Sequence, residues 1–190
     1  GDTAALDEVL KKLEAKDVFV KKLESVEFAS HSPQMEEIQR EFTEALSAIS
    51  PREGSTQFYS TVSAAPKDGR SLGANYWSEN IRQPVLFARA VSALVADGFD
   101  TYVEIAPHPA LSGSVSQCVA ALAESHPNGA NVLHSLHRKE PKLPVIYGSL
   151  GELYGLGHAV DLRQFFDRRH RYVRLPNYAF QRDTYWIEVT

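Results

Sequence analysis

The chain has 190 residues, of which 43% are hydrophobic and 23% charged, with a formal net charge of −4. That composition describes a globular chain long enough for one domain with a core, or a domain plus an appendage, and excludes a disordered one. No long block carries one sign, no run of about 18 apolar residues occurs, and the one cysteine, Cys118, cannot pair internally. A dedicated nucleic-acid binder, a membrane span and a disulfide scaffold are therefore disfavoured, and a reducing, cytoplasmic setting is expected.

The opening stretch, GDTAALDEVLKK, lacks the basic start and apolar core of a signal peptide. Leu6, Val9, Leu10 and Leu13 recur at helical spacing, with Thr3 as a candidate cap. DVFVKKLESVEF reads as one or two strands between Val18 and Phe28. Met35, Ile38, Phe42, Leu46 and Ile49 step by three and four and predict an amphipathic helix. Ser32 suits its N-cap and Pro33 its first turn. Gln57 to Ser63 reads as a strand, followed by a loop holding Pro66, Gly69 and Gly73. Pro84 is expected to open a helix whose Phe87, Val91, Leu94 and Val95 face inward and which Gly98 stops.

TYVEIA is a short strand, PHP a turn, and Leu111, Val115, Val119 and Leu122 mark another helix. The alternation of strands and helices predicts an α/β fold. From about Ser125 the texture changes. ESHPNGAN reads as a turn, VLHSL as a strand, and LPVIYGSLGELYGLG as a helix ending in glycines. The tail, RYVRLPNYAFQRDTYWIEV, is extended and aromatic, and Pro176 argues against a helix there. It reads as a strap that packs its rings on another surface.

His31 lies just before a predicted helix start, whose partial positive charge favours a neutral imidazole. Two readings follow: a general base, or a polar residue that hydrogen-bonds the free N–H groups of that helix. Ser30 and Ser32 are poor nucleophiles for such a base, because sequence neighbours seldom face each other correctly. No G-x-S-x-G pentapeptide occurs anywhere in the chain.

Four segments fall in a characteristic order and spacing: FASHSPQM, YWSENIRQPVLFARAV, YVEIAPHPAL and LPNYAFQRDTYW. Together they resemble the C-terminal part of an acyltransferase domain of a modular type I polyketide synthase, followed by its post-acyltransferase linker. The resemblance implies an α/β-hydrolase-like body with an inserted ferredoxin-like subdomain. Residues 1–28 would be a remnant of that subdomain, residues 29–124 the C-terminal part of the large body, and residues 125–190 the linker.

It implies further that an acyl group passes from an acyl-coenzyme A, through a serine, to the phosphopantetheine thiol of an acyl carrier protein. No covalently bound cofactor is implied. His31 maps onto the catalytic histidine, which in this family is oriented by a backbone carbonyl. Asn80 is the first candidate for that carbonyl and Gln83 the second; the plain alternative for Asn80 is a residue at a helix start. The family's serine motif, its oxyanion-hole glutamine and its substrate-binding arginine have no counterpart here and would lie before Gly1. The chain is accordingly expected to be incomplete and inactive alone, with the missing N-terminal acyltransferase segment, an adjacent ketosynthase and a carrier protein as partners.

In this family the four residues ending at the histidine correlate with the extender unit. Here they are Phe28, Ala29, Ser30 and His31, closer to the methylmalonyl pattern Y-A-S-H than to the malonyl pattern H-A-F-H. Ser30 leaves room for an α-methyl that a phenylalanine would fill. Phe28 in place of tyrosine removes a hydroxyl and admits a larger branched unit.

Elsewhere, His108 between two prolines is expected to be a turn residue. His134 and His137 lie three apart without a cysteine partner, so no metal site is assigned. Arg168 to Arg174 reads as a solvated basic face or a contact for a neighbouring domain or acidic carrier protein, and Trp77 and Trp186 as packing anchors. Glu104 is a weak candidate acid. The competing class is a non-catalytic scaffold or docking fragment that contacts a ketosynthase; an unrelated hydrolase would need a serine facing His31, and the sequence offers none.

Overall fold

A computed structural model describes residues 2–22, 28–122, 129–165, 173–183 and 185–186. The chain forms two compact units, Gly1–Ser149 and Leu150–Thr190. In the first, α1 (Thr3–Glu14) is capped by Asp2, whose carboxylate accepts from the Ala5 N–H at 3.0 Å. Asp2, rather than Thr3, therefore starts this helix: a carboxylate suits the positive end of a helix better than a hydroxyl. Val18 to Lys22 form no strand, and the rest of that predicted segment, 23–27, lies outside the described residues.

A 3-10 turn, Pro33–Met35, leads into α2 (Glu36–Ala45). Next comes an antiparallel hairpin of β1 (Phe58–Ser60) and β2 (Ala65–Lys67), with Tyr59 opposite Pro66. The sequence placed Pro66 in a loop; a two-stranded ribbon tolerates proline because one edge of each strand needs no ladder bond. At the turn end of the hairpin Ser60 is fully buried, its hydroxyl 2.9 Å from that of Tyr76. Past β2, Gly69 sits where a Cβ would come within 2.5 Å of the Arg52 carbonyl oxygen, so only glycine fits.

Helix α3 (Ala74–Arg82) was not legible in the apolar pattern. Its Trp77 anchors it, as expected, by donating from Nε1 to the Leu72 carbonyl at 2.9 Å. Helix α4 begins at Phe87 and runs to Ala96. Pro84 does not open it; instead Pro84 ends α3, and the Leu86 N–H is tied to the Thr61 carbonyl at 2.8 Å. Gly98 stops α4 as predicted, with φ of 89°.

Strand β3 (Thr101–Glu104), helix α5 (Ser112–Ala120) and strand β4 (Asn131–His134) form a β-α-β crossover, with β3 and β4 parallel and Glu104 opposite His134. The α/β layering thus runs past the boundary expected at 124/125. The core of this unit is Val91 and Val95 of α4 against Val119 of α5, with Phe87, Tyr102 and Val115 packed around them. Val119 is 2% exposed. Val119→Ala should cost about 1.5–3 kcal/mol, measured by urea unfolding. The exposed Val103→Ala should cost under about 0.5 kcal/mol; equal losses would place the core elsewhere.

Helix α6 spans Lys142–Gly155 and is followed by Gly157, with φ of 91°. Residues 173–183 form no helix, in keeping with Pro176. Tyr178, Phe180, Tyr185 and Trp186 are 71–86% exposed, so Trp186, unlike Trp77, is not buried among the described residues.

Candidate active site around His31

The site is built where α3 breaks. Pro84 has no N–H to donate, and its ring forbids a helical backbone at the residue before it. Gln83 accordingly turns to an extended ψ of 152°, which swings its carbonyl out of the helical ladder. His31 meets that carbonyl. The His31 backbone N–H donates to the Ile81 carbonyl at 2.7 Å, and ring Nδ1 donates to the Gln83 carbonyl at 3.0 Å. One residue thereby satisfies two of the carbonyls that the end of α3 leaves free.

A carbonyl can only accept, so Nδ1 carries the proton and Nε2 of the neutral ring presents a lone pair. The backbone at His31 is left-handed, with φ of 62°. That conformation is uncommon outside glycine, and such strain gathers at functional sites.

Two expectations change here. The sequence set His31 against the positive start of the following helix; the structure turns its ring to the carbonyl end of α3. The sequence also ranked Asn80 ahead of Gln83 as the carbonyl donor. Asn80 lies inside α3, where the helical backbone keeps carbonyls directed along the axis. Only Gln83, released by Pro84, turns its carbonyl to the imidazole.

On the other side of His31, Ser32 caps the 3-10 turn as predicted, accepting from the Gln34 N–H at 3.3 Å. Its hydroxyl also donates to the Ala29 carbonyl at 2.7 Å. That commitment leaves Ser32 unsuited to attack a thioester. Phe28, 70% exposed, half-buried Ala29 and exposed Ser30 lead up to the histidine, whose own ring is open to solvent. Helices α2 and α3 are joined beside the site. Gln39 Nε2 donates to the Ser78 carbonyl at 3.0 Å, and Arg82 donates from Nε to Glu36 Oε1 at 2.7 Å.

The other candidates have structural settings. The Glu104 carboxylate accepts from the Ser112 hydroxyl and from the N–H groups of Ala110, Leu111 and Ser112 at 2.6–3.1 Å. The hydroxyl bond above all, then the Ala110 N–H, holds its pKa down to about 2. It anchors the start of α5 and stays ionised, so it has no proton to give as an acid. His108 packs against His137 with ring centroids 4.5 Å apart and planes tilted by 59°; desolvation first, then Arg138, pushes its pKa below the ordinary histidine value.

The His137 Nδ1 lies 3.2 Å from the Glu140 carboxylate, out of line for a hydrogen bond. Among the described residues no group of three or more His, Cys, Asp or Glu side chains is placed to hold a metal. No helix among them is long and apolar enough to cross a membrane. His126 and, in the basic run, Arg168 to Tyr172 lie outside the described residues.

Comparison with known proteins places the chain in a family. Residues 1–153 match the acyl transferase domain family. Over 191 residues the chain is 38% identical to polyketide synthase GfsA of Streptomyces halstedii, covering 100% of this chain and 2% of that protein. It is 34% identical over 189 residues to erythronolide synthase EryA3 of Saccharopolyspora erythraea, covering 100% of this chain and 6% of that one. Among solved structures, the acyltransferase domain from module 8 of the salinomycin polyketide synthase superposes with a TM-score of 0.77 at 35% identity. That match covers 86% of this chain and 37% of the solved one. The chain therefore spans a small fraction of these relatives, and it belongs to the acyl transferase domain family, in the form carried by polyketide synthases.

Proposed function

We propose that this chain supplies the general base of an acyltransferase that moves an extender acyl group from an acyl-coenzyme A to the phosphopantetheine thiol of an acyl carrier protein. The observation that carries the reading is the 3.0 Å bond from His31 Nδ1 to the Gln83 carbonyl, which fixes the tautomer and leaves Nε2 free. The serine it serves lies outside this chain.

In the first half-reaction Nε2 takes the serine proton as the oxygen attacks the thioester carbonyl. The imidazolium then returns that proton to the departing coenzyme A sulfur. In the second half-reaction Nε2 takes the proton of the carrier's thiol, the sulfur attacks the acyl-serine, and the proton passes to the serine oxygen. The Gln83 carbonyl accepts from Nδ1–H throughout and stabilises the imidazolium of both steps.

This ping-pong reading is tested by intact mass spectrometry of the chain together with the segment that bears the nucleophile, the assembled acyltransferase. After a pulse of methylmalonyl-coenzyme A, the acyl mass should appear on the partner segment and transfer to carrier protein. An adduct on this chain alone would overturn the assignment.

Within the same reading Phe28, Ala29 and Ser30 bound the extender pocket, with methylmalonyl favoured. Ser30→Phe should shift the ratio of kcat/KM for methylmalonyl to malonyl units downward by about 10- to 200-fold, as expected for one methyl group in a pocket. An unchanged ratio would remove Ser30 from the pocket wall. A linker role for the end of the chain, and contact with a ketosynthase, draw support from the open aromatic rings of Tyr178, Phe180, Tyr185 and Trp186. A non-catalytic docking role would use the same tail and would leave the bond from His31 to Gln83 a purely structural one that closes the end of α3.

A further inference from the structure

Arg82 immediately precedes the residue whose carbonyl orients His31, and it is the charged end of a clamp between two helices. It lies in the last turn of α3, and Glu36 lies in the first turn of α2. Each charge therefore complements the dipole of its own helix. The Arg82 Nε and Nη2 groups both reach Glu36 Oε1, at 2.7 and 2.6 Å. The arginine side chain is 21% exposed, far less than the exposed Arg40, at 89%, which pairs with Glu44 along α2 itself. His31 lies five residues ahead of Glu36 in the chain and is bonded to the end of α3 at Ile81 and Gln83. At the end of α3 nearest the histidine, the two helices are fixed to one another by this ion pair, with the Gln39–Ser78 bond one turn earlier along α3.

We propose that Arg82, through Glu36, is a positioning residue for His31: it holds the start of α2 against the end of α3 so that the Gln83 carbonyl stays within bonding reach of Nδ1. The backbone strain at His31 makes such a clamp necessary. A left-handed histidine relaxes toward an ordinary backbone when its two partners on α3 drift away. Once the Gln83 carbonyl is out of reach, the ring loses its preference for the Nδ1–H tautomer, and part of the population presents N–H rather than a lone pair at Nε2. The inference rests on the base reading for its consequence in catalysis, but not for its geometry.

The test reads the tautomer directly. Ring 15N shifts of His31 in the full chain, assigned by their loss in His31→Asn, report which nitrogen carries the proton. The wild-type ring should be chiefly Nδ1–H. Arg82→Met and Glu36→Gln should each lower the Nδ1–H to Nε2–H ratio by about 2- to 5-fold, the range of an ion pair near the surface. Arg82→Lys should retain most of it, and Arg40→Met should leave it unchanged. Glu36, with a side chain 59% exposed, can be altered without opening a core, so it guards against a folding defect in the arginine variant. A wild-type ratio in both Arg82→Met and Glu36→Gln would overturn the proposal.

In the assembled acyltransferase the same two variants should lower kcat in proportion to the fraction of Nδ1–H ring lost, by less than about twofold while that tautomer still predominates, with KM for the acyl-coenzyme A unchanged, because the base acts in the chemical step. The two readings fail separately. Activity that survives His31→Asn would remove the base and leave the clamp; a tautomer ratio indifferent to the ion pair would remove the clamp and leave the base.

Discussion

His31→Asn in the assembled acyltransferase is expected to lower kcat/KM for acyl transfer by about 100- to 10,000-fold, the contribution of a positioned general base. Asparagine is the informative substitution because it tolerates the left-handed backbone that His31 adopts. Its amide can also donate to the Gln83 carbonyl, so the turn between Phe28 and α2 survives. What it lacks is a second nitrogen that accepts a proton. Alanine at the same position would confuse the chemistry with backbone strain of about 1 kcal/mol or more. Steady-state transfer from methylmalonyl-coenzyme A to a carrier protein measures the effect. A loss of less than about threefold would mean that the imidazole is structural, one residue filling the free carbonyls of α3. Under the proposed acyl-serine mechanism, the same variant should also slow hydrolysis of the acyl-coenzyme A by a similar factor.

The second large effect concerns stability and pH. Glu104→Gln should lower the melting temperature of the full chain at pH 7 and flatten its dependence on pH in acid. The carboxylate accepts one hydroxyl and three N–H bonds at the start of α5, which hold its pKa near 2 against an ordinary 4.5. A carboxylate depressed in the folded state stabilises that state fully above its unfolded pKa. The contribution fades as pH falls from about 4.5 toward 2, where the folded carboxylate also takes up its proton. Wild-type melting temperature should therefore drop across that window more steeply than that of the glutamine variant, and the two curves should converge near its acid end. Thermal unfolding by circular dichroism between pH 7 and 2 gives both. Parallel curves would mean that Glu104 is no anchor of α5. Asp161 is also held low, by Arg163, but it is present in both proteins and cancels in the comparison.

Much of the architecture was legible in the sequence because local physics decided it. Met35, Ile38 and Phe42 repeat at helical spacing, Ser32 and Pro33 carry start signals, and Gly98 can adopt the positive φ that ends α4. These are choices a segment makes whatever surrounds it. The strand at Thr101–Glu104 and its partner at Asn131–His134 were legible for the same reason: short runs rich in β-formers between turns. The resemblance to polyketide synthase acyltransferases was carried by the order of four short motifs, and the family match bears it out.

The misreadings fall where a residue's role depends on something distant in sequence. Pro84 signals a boundary, but the sequence alone does not say whether it opens the following helix or closes the preceding one. Helix α3 offered too little apolar period to show that there was a helix to close. Glu104 looked like a lone carboxylate on a strand, and only the return of the chain at Ser112 made it the anchor of a helix.

The chain by itself determined which residue types stand beside the histidine, that a nucleophile motif is lacking between Gly1 and Thr190, and that the body is α/β. The tertiary structure alone decided which carbonyl His31 meets. Fifty-two residues separate the two partners. The choice between Asn80 and Gln83 rests on how one proline turns the last peptide of α3 and how Glu36 and Arg82 hold α2 beside it. A hydrogen bond across that separation is set by packing, and packing leaves no period in a sequence.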